Sequence, residues 1–120
     1  MQPLNLPSSE LTPAIELNHQ KNIFRIEGKS LLDKPETFFA PVKTWFEEYS
    51  NSPNPETVLA IKFEYFNIAT SRELLDIFKI MEKLPNAKII WRFLEDEEDM
   101  EESGQELAEL VTVPFDFQPY

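Results

Sequence analysis

The sequence predicts a single α/β domain, residues 1–120, with a mixed and mostly parallel sheet and about three helices. Three observations predict it. Strand-type runs alternate with stretches whose apolar residues recur every three or four positions. The resulting order, β-β-α-β-α-β-α-β, is that of parallel strands joined by helical crossovers. The length of 120 residues and a hydrophobic content of 42%, with ten Phe, two Trp and three Tyr, supply one core and not two.

Each element has its own signal. Residues 1–11 contain Pro3 and Pro7 and read as a flexible or extended lead-in. "TPAIELN" and "NIFRIEGK" then read as a hairpin: Ile23 and Arg25 alternate against Phe24 and Ile26, and Gly28 reads as a break. In "PETFFAPVKTWFEEYS", Phe38, Val42, Trp45, Phe46 and Tyr49 are spaced as one face of a helix. Pro41 must either lie in its first turn or kink it. "NSPNPE" is a loop. Residues 57–66, "TVLAIKFEYF", are apolar on both faces at first and alternate later, as in an interior strand covered by helices.

"TSRELLDIFKIMEKL" places Leu74, Ile77, Phe78, Met81 and Leu84 on one side of a second helix, which Pro85 and Asn86 end. "AKIIWRFLE" reads as another interior strand. Ser103 and Glu106 have capping-box spacing for a last helix through "QELAELV", and "TVPFDFQPY" is a terminal strand or an ordered tail. No internal repeat is visible.

Composition narrows the chemistry. The absence of cysteine excludes disulfides, thiolate metal sites and a cysteine nucleophile. The amino terminus lacks the basic start and apolar run of a signal peptide, and no stretch is long and apolar enough for a membrane span, so a soluble, cytoplasmic protein is expected. The net charge is −11, and seven of the eight residues from Glu95 to Glu102 are acidic. Nucleic acid and anionic membrane are therefore not expected as partners, because binding to either relies on Lys and Arg.

With only Gly28 and Gly104 available, neither a P-loop nor a dinucleotide-binding turn can be built. His19 is the only histidine and reads as solvated surface. The acidic run lacks the alternating oxygen ligands and the turn glycine of a calcium loop. No catalytic residue, metal or cofactor is expected. The enzyme alternative would need a carboxylate pair such as Asp96 and Asp99 in a pocket.

The turn "FNIATSRELLDIF", residues 66–78, is the one place with two readings. Thr70 and Glu73 have the spacing of a capping box, which is sufficient as structure. The same helix start offers free N–H groups and a positive dipole to a phosphate, at the carboxyl end of a strand where open sheets bind ligands.

"FEYFNIATSRELLDIF", together with "TPAIEL", "FFAPVKTWFEEY" and "VPFDF", resembles the SiaC-type biofilm-regulation phosphoproteins over residues 12–117. The resemblance implies a STAS-like architecture, similar to that of anti-sigma-factor antagonists, with no catalysis and no cofactor. It also implies a switch kinase and a metal-dependent phosphatase that set the phosphorylation of a hydroxyl in the turn after the central strand. The unphosphorylated form would bind and activate a diguanylate cyclase.

The family turn usually reads Asn-Thr-Ser-Ser; here Asn67 is followed by Ile68, Ala69, Thr70 and Ser71. Ile68 thus occupies the acceptor position, and the candidate phosphorylation sites become Thr70 and Ser71. Asn67, Ala69 and Arg72 make up the expected partner-binding turn, whereas Lys62 and Arg92 on neighbouring strands read as solvated strand residues and would approach a phosphate there only if they lay near the carboxyl edge of the sheet. Where the family has Tyr-Pro-Glu-Asn after a glycine and serine, this chain keeps Gly28 and Ser30 but reads Leu31, Leu32, Asp33 and Lys34. The alternative function is a phosphorylation-independent antagonist or scaffold of the same fold. The oligomeric state is not encoded in any of these features.

Overall fold

A computed structural model describes all residues, 1–120. The strands are β1 (Leu4–Leu6), β2 (Ala14–Asn18), β3 (Ile23–Ser30), β4 (Thr57–Phe66), β5 (Ala87–Phe93) and β6 (Phe115–Pro119). The helices are α1 (Glu36–Tyr49), α2 (Ile68–Met81) and α3 (Glu98–Glu109). The predicted order holds from β2 onward, and the lead-in adds β1 in front of it. Leu4 and Leu6 pair opposite Leu17 and Ile15, and the Gln2 carbonyl accepts the Trp45 indole N–H at 2.9 Å, so the lead-in is extended and fastened.

The six strands lie side by side in sequence order, antiparallel from β1 to β3 and parallel from β3 to β6. Each parallel step moves in the same direction across the sheet. Right-handed crossovers taken in one direction put every helix on one face. Burial agrees: Leu59, Ile61 and Phe63 of β4 and Ile89, Trp91 and Phe93 of β5 are buried. Their alternates Val58, Ala60, Lys62, Ile90 and Arg92 are not.

Two sequence expectations are corrected here. β4 is covered by helices on one face only, its early apolar residues notwithstanding. The strand order never reverses, so the sheet has no switch-point crevice of the kind that binds ligands in doubly wound folds.

The helix-side core joins Phe39, Phe46 and Tyr49 of α1 to Leu74 and Phe78 of α2 and to Trp91 of β5, all almost wholly buried. Phe39 takes the inward position expected of Phe38, which is half-buried and packs edge-on against it at 5.0 Å. Pro41 lies beyond the first turn of α1, on its exposed side, where water can replace the lost backbone bond. Trp45 stacks on Tyr49, and the Tyr49 hydroxyl reaches Thr57 Oγ1 at 2.7 Å, tying α1 to the start of β4. His19 is half-buried with its ring edge-on to Tyr49, where solvated surface was expected. Gly28 does not break β3. Its φ of +121° accommodates a register shift between Gly28 and Lys29, a bulge that a side chain would strain, and the strand runs on to Ser30.

The last helix starts earlier than Ser103. It begins at Glu98, inside the acidic run, and Ser103 is an interior residue. Glu98, Asp99 and Glu101 stand in the first turn, where the helix dipole favours negative charge. Met100, Gly104 and Leu107 form the inward stripe, and the Trp91 indole N–H donates to the Met100 carbonyl at 3.0 Å.

At the far end of α2, which stops at Met81 before Pro85, Glu82 Oε2 accepts the Thr112 backbone N–H at 2.7 Å. That bond is the main cause holding the Glu82 carboxyl below its ordinary range, despite an opposing desolvation. A folded-state pKa below the unfolded one adds stability that is present above the unfolded pKa and is lost as pH falls through the folded one. Wild type is therefore expected to melt above Glu82→Gln at neutral pH, with the gap in Tm closing once the pH falls below the ordinary carboxyl range. A gap that persists unchanged in acid would rule out the carboxylate as its source.

Candidate functional site

The start of α2 is built on Asn67. Its backbone is extended, and its side-chain Oδ1 accepts the Thr70 backbone N–H at 3.0 Å, so Asn67 and not Thr70 is the cap. The capping-box expectation fails for a specific reason. Asn67 also donates through Nδ2 to the Leu32 carbonyl at 2.9 Å, and its own N–H donates to the Ser30 carbonyl at 3.2 Å. These bonds fix the chain direction three residues before Thr70.

Thr70 is consequently inside the helix and 0% exposed. Its hydroxyl donates to Asn67 Oδ1 at 2.8 Å, which leaves the Ser30 hydroxyl to donate to Thr70 Oγ1 at 2.6 Å. Ser30, itself buried, thereby locks the end of β3 and the loop through Leu32 to the beginning of α2. Glu73, freed from capping, is buried and sends Oε1 to Lys43 Nζ of α1 at 2.7 Å, and Asp76 meets the same ammonium at 2.9 Å. Partial burial pulls the Lys43 pKa down, but Glu73 and Asp76 outweigh it and hold it above the ordinary lysine value.

The network predicts unequal hydroxyls. Thr70→Val keeps the shape but deprives the Ser30 hydroxyl of its acceptor, and is expected to cost about 1–3 kcal/mol in urea unfolding. Ser71→Ala is expected to stay within about 0.5 kcal/mol of wild type. Equal losses at the two positions would contradict this geometry.

The outward residues of the turn are different. Ile68, the first helical residue, is 78% exposed, Arg72 is exposed, and Ala69 and Ser71 are half-buried. The Ser71 hydroxyl donates back to the Ile68 carbonyl at 2.6 Å. α2 packs on α1 and α3 packs on β5, which leaves an open groove of about 220 Å³ between α2 and α3. Ile68, Ser71 and Leu75 line it from α2, Ser103 and Leu107 from α3, and Leu110 from the residue that caps α3.

The turn residues Asn67 to Arg72 are therefore together, whereas Lys62 and Arg92 are elsewhere. They neighbour each other on the helix-free face, under the Tyr120 ring, at 4.5 Å for Lys62 Nζ and 5.3 Å for Arg92 Cζ. The sheet itself separates them from α2. Sequence reasoning missed the α3 wall of the groove, because an acidic stretch with one Met and one Gly does not display a helical stripe. The spacing of Met100, Gly104, Leu107 and Leu110 was the available signal.

A one-sided sheet, a helix start pinned from beneath by Ser30 and Asn67, and an apolar residue turned outward define a small α/β domain with an ordered, partly apolar turn at the surface. A family model described as SiaC family regulatory phosphoprotein matches residues 6–120, and the chain belongs to that family. An uncharacterised protein of Pseudomonas aeruginosa (strain UCBPP-PA14) is 23% identical, with 100% of this chain and 98% of that protein aligned. Among solved structures, apo-SiaC of P. aeruginosa superposes with a TM-score of 0.88 at 23% identity, covering 98% of this chain and 99% of the other. SiaC in complex with the diguanylate cyclase SiaD, of which it is the activator, gives 0.90 at 22% identity and the same coverage. These likenesses establish the fold.

Proposed function

We propose that the chain is a non-enzymatic regulator that docks onto a diguanylate cyclase through the start of α2 and stimulates it. The observation that carries this reading is Ile68. It stands 78% exposed on the first turn of a helix and shares one groove with Leu75, Leu107 and the exposed Leu110, an apolar patch of the kind that a partner covers. Family membership over residues 6–120 and the description of SiaC as the activator of SiaD support the partner class. Asn67 would shape the docking turn, with Ala69 and Arg72 beside the contact.

A switch kinase and a metal-dependent phosphatase would act on a hydroxyl of this turn. Of the two candidates, Ser71 fits the role. Thr70 is buried and engaged with Ser30 and Asn67, and could receive a phosphate only by dismantling the helix start. The same two facts, Ile68 at the acceptor position and Thr70 out of reach, favour a second reading in which docking is independent of phosphorylation. Asp96 and Asp99 both stand exposed, so they give the enzyme alternative no support.

The test mixes the purified chain with the diguanylate cyclase encoded nearest to it and follows cyclic di-GMP formation and co-elution. Stimulation with a stable complex is expected. A cyclase unaffected by excess chain, with no co-elution, would end this reading. Kinase treatment then separates the two forms: loss of stimulation together with one phosphate on Ser71 supports the switch, and unchanged mass supports constitutive docking.

A further inference from the structure

We propose that the helix-free face of the sheet is a homotypic interface, on which a second copy of this chain packs face to face about a two-fold axis that runs parallel to the strands, between β3 and β4. The sheet itself separates this face from α2, so the inference stands apart from the docking reading above.

Strand register lays the face out in three rows. The middle row runs from β1 to β6 as Asn5, Glu16, Arg25, Ala60, Ile90 and Asp116. Toward the carboxyl ends of the parallel strands lies the row Ala14, Glu27, Lys62, Arg92 and Gln118. On the other side Asn18 pairs with Ile23, and Val58 with Lys88. Ala14, Ile23, Val58, Ala60 and Ile90 are half-buried, and the free chain offers nothing to cover them.

An axis through the middle of the six strands sets β3 over β4 of the second copy and β2 over its β5, and keeps each row over itself. Glu27 then faces Lys62 of the second copy, and Lys62 faces its Glu27. The long side chains of Arg25 and Arg92 face Ala60 and Ala14, which leave them room, and Ile23 faces Val58. No two like charges are opposed. An axis on β3 or on β4 would stack Glu27 or Lys62 on itself, and one between β4 and β5 would set Lys62 against Arg92. An axis across the strands, between the two longer rows, would lay Lys62 and Arg92 on Ala60 and Ile90 with no acid opposite.

Charge also selects this face over every other for self-association. The rows hold Arg25, Lys62, Lys88 and Arg92 against Glu16, Glu27 and Asp116, a slight positive balance in a chain of net charge −11. Over the rest of the surface, two copies repel. The mixed signs suit neither nucleic acid nor anionic lipid, which need a continuous basic face. Strand spacings of about 4.8 Å, with β3 and β5 eight and seven residues long, give a face of roughly 500 Å² per copy. That is the lower end for a specific complex, so a dimer that dissociates on dilution is expected.

The test is sedimentation velocity of the full chain from micromolar to millimolar concentration. A monomer–dimer equilibrium is expected. Glu27→Lys and Lys62→Glu, each shown to be folded by circular dichroism, should weaken the dimer by about tenfold or more, since each sets like charges across the axis. Mixed together, the two variants should associate with one another, because positions 27 and 62 are both basic in one chain and both acidic in the other. The contact of Glu27 with Lys62 inside one sheet cannot produce that result. Ala60→Arg, set against Arg25 of the second copy, should also weaken the dimer and serves where a charge reversal fails to fold. A wild type that stays monomeric throughout would overturn the proposal and leave the face to another protein. A dimer indifferent to these variants, or a mixture that associates no better than its components, would overturn it equally.

Discussion

Gly104→Val is expected to destabilise the protein by about 3 kcal/mol, near the upper end of what overpacking a rigid core costs. A Cβ at position 104 would lie 2.5 Å from Trp91 Nε1 and 2.7 Å from Cδ1 and Cε2, well inside contact distance. The ring cannot yield. Trp91 is 1% exposed, its indole N–H is held by the Met100 carbonyl at 3.0 Å, and Phe63, Phe66 and Phe115 surround it. α3 must therefore lift from β5, taking Met100 and Leu107 partly out of the core. Even Gly104→Ala should destabilise, although alanine is favoured over glycine in a helix by about 1 kcal/mol. Chemical denaturation gives the magnitude. Trp91→Phe, which removes the indole nitrogen nearest the new Cβ, should recover part of the loss in a double-mutant cycle. A Gly104→Val protein as stable as wild type would mean that α3 does not approach Trp91 as described.

The second large effect concerns Ile68→Thr. The substitution puts a hydroxyl at the acceptor position that the resemblance implies, on an exposed residue and in the first turn of α2. A phosphate there meets the positive end of the helix dipole and is compatible with the fold. To a partner that had covered an isoleucine it presents about two negative charges that must be desolvated or repelled. Treatment with the proposed switch kinase is expected to add one more phosphate to Ile68→Thr than to the wild type. The modified form should lose cyclase docking by an order of magnitude or more, each tenfold being about 1.4 kcal/mol. Intact-mass spectrometry and co-elution read both steps. Docking that survives phosphorylation of residue 68 would show that the start of α2 is not the contact.

Much of the architecture was legible because it was written in periodicity. β4 spans Thr57–Phe66 as expected, and Leu74, Ile77, Phe78, Met81 and Leu84 are all buried. The errors have physical causes. The inward stripe of α3 is carried by a glycine chosen for closeness to an indole, and closeness leaves no hydrophobic mark in a sequence. The cap went to Asn67 because three short polar side chains lay within five residues, and only contacts to Ser30 and Leu32, more than thirty residues away, choose among them. Apolar residues such as Val58, Ala60 and Ile90 suggested two covered faces, since their β-propensity resembles burial. At the site, the exposure of Ile68 and the burial of Thr70 follow from where the helix begins, and a shift of three residues in that start exchanges their roles.

The unreversed strand order also shapes how the molecule comes apart. Every strand neighbours the one before it in sequence, so β1 and β6 are the free edges and β4 lies inside, between β3 and β5. Opening can fray inward from either margin, one strand at a time, without breaking pairs further in. The part of β4 flanked on both sides, residues 60–62, belongs to the last unit to open, and beyond it the end of β4 is paired to β3 alone. The proposed docking turn is held instead by the bonds of Asn67 to Ser30 and Leu32, so a partner would meet a preorganised surface and spend little binding energy on ordering it.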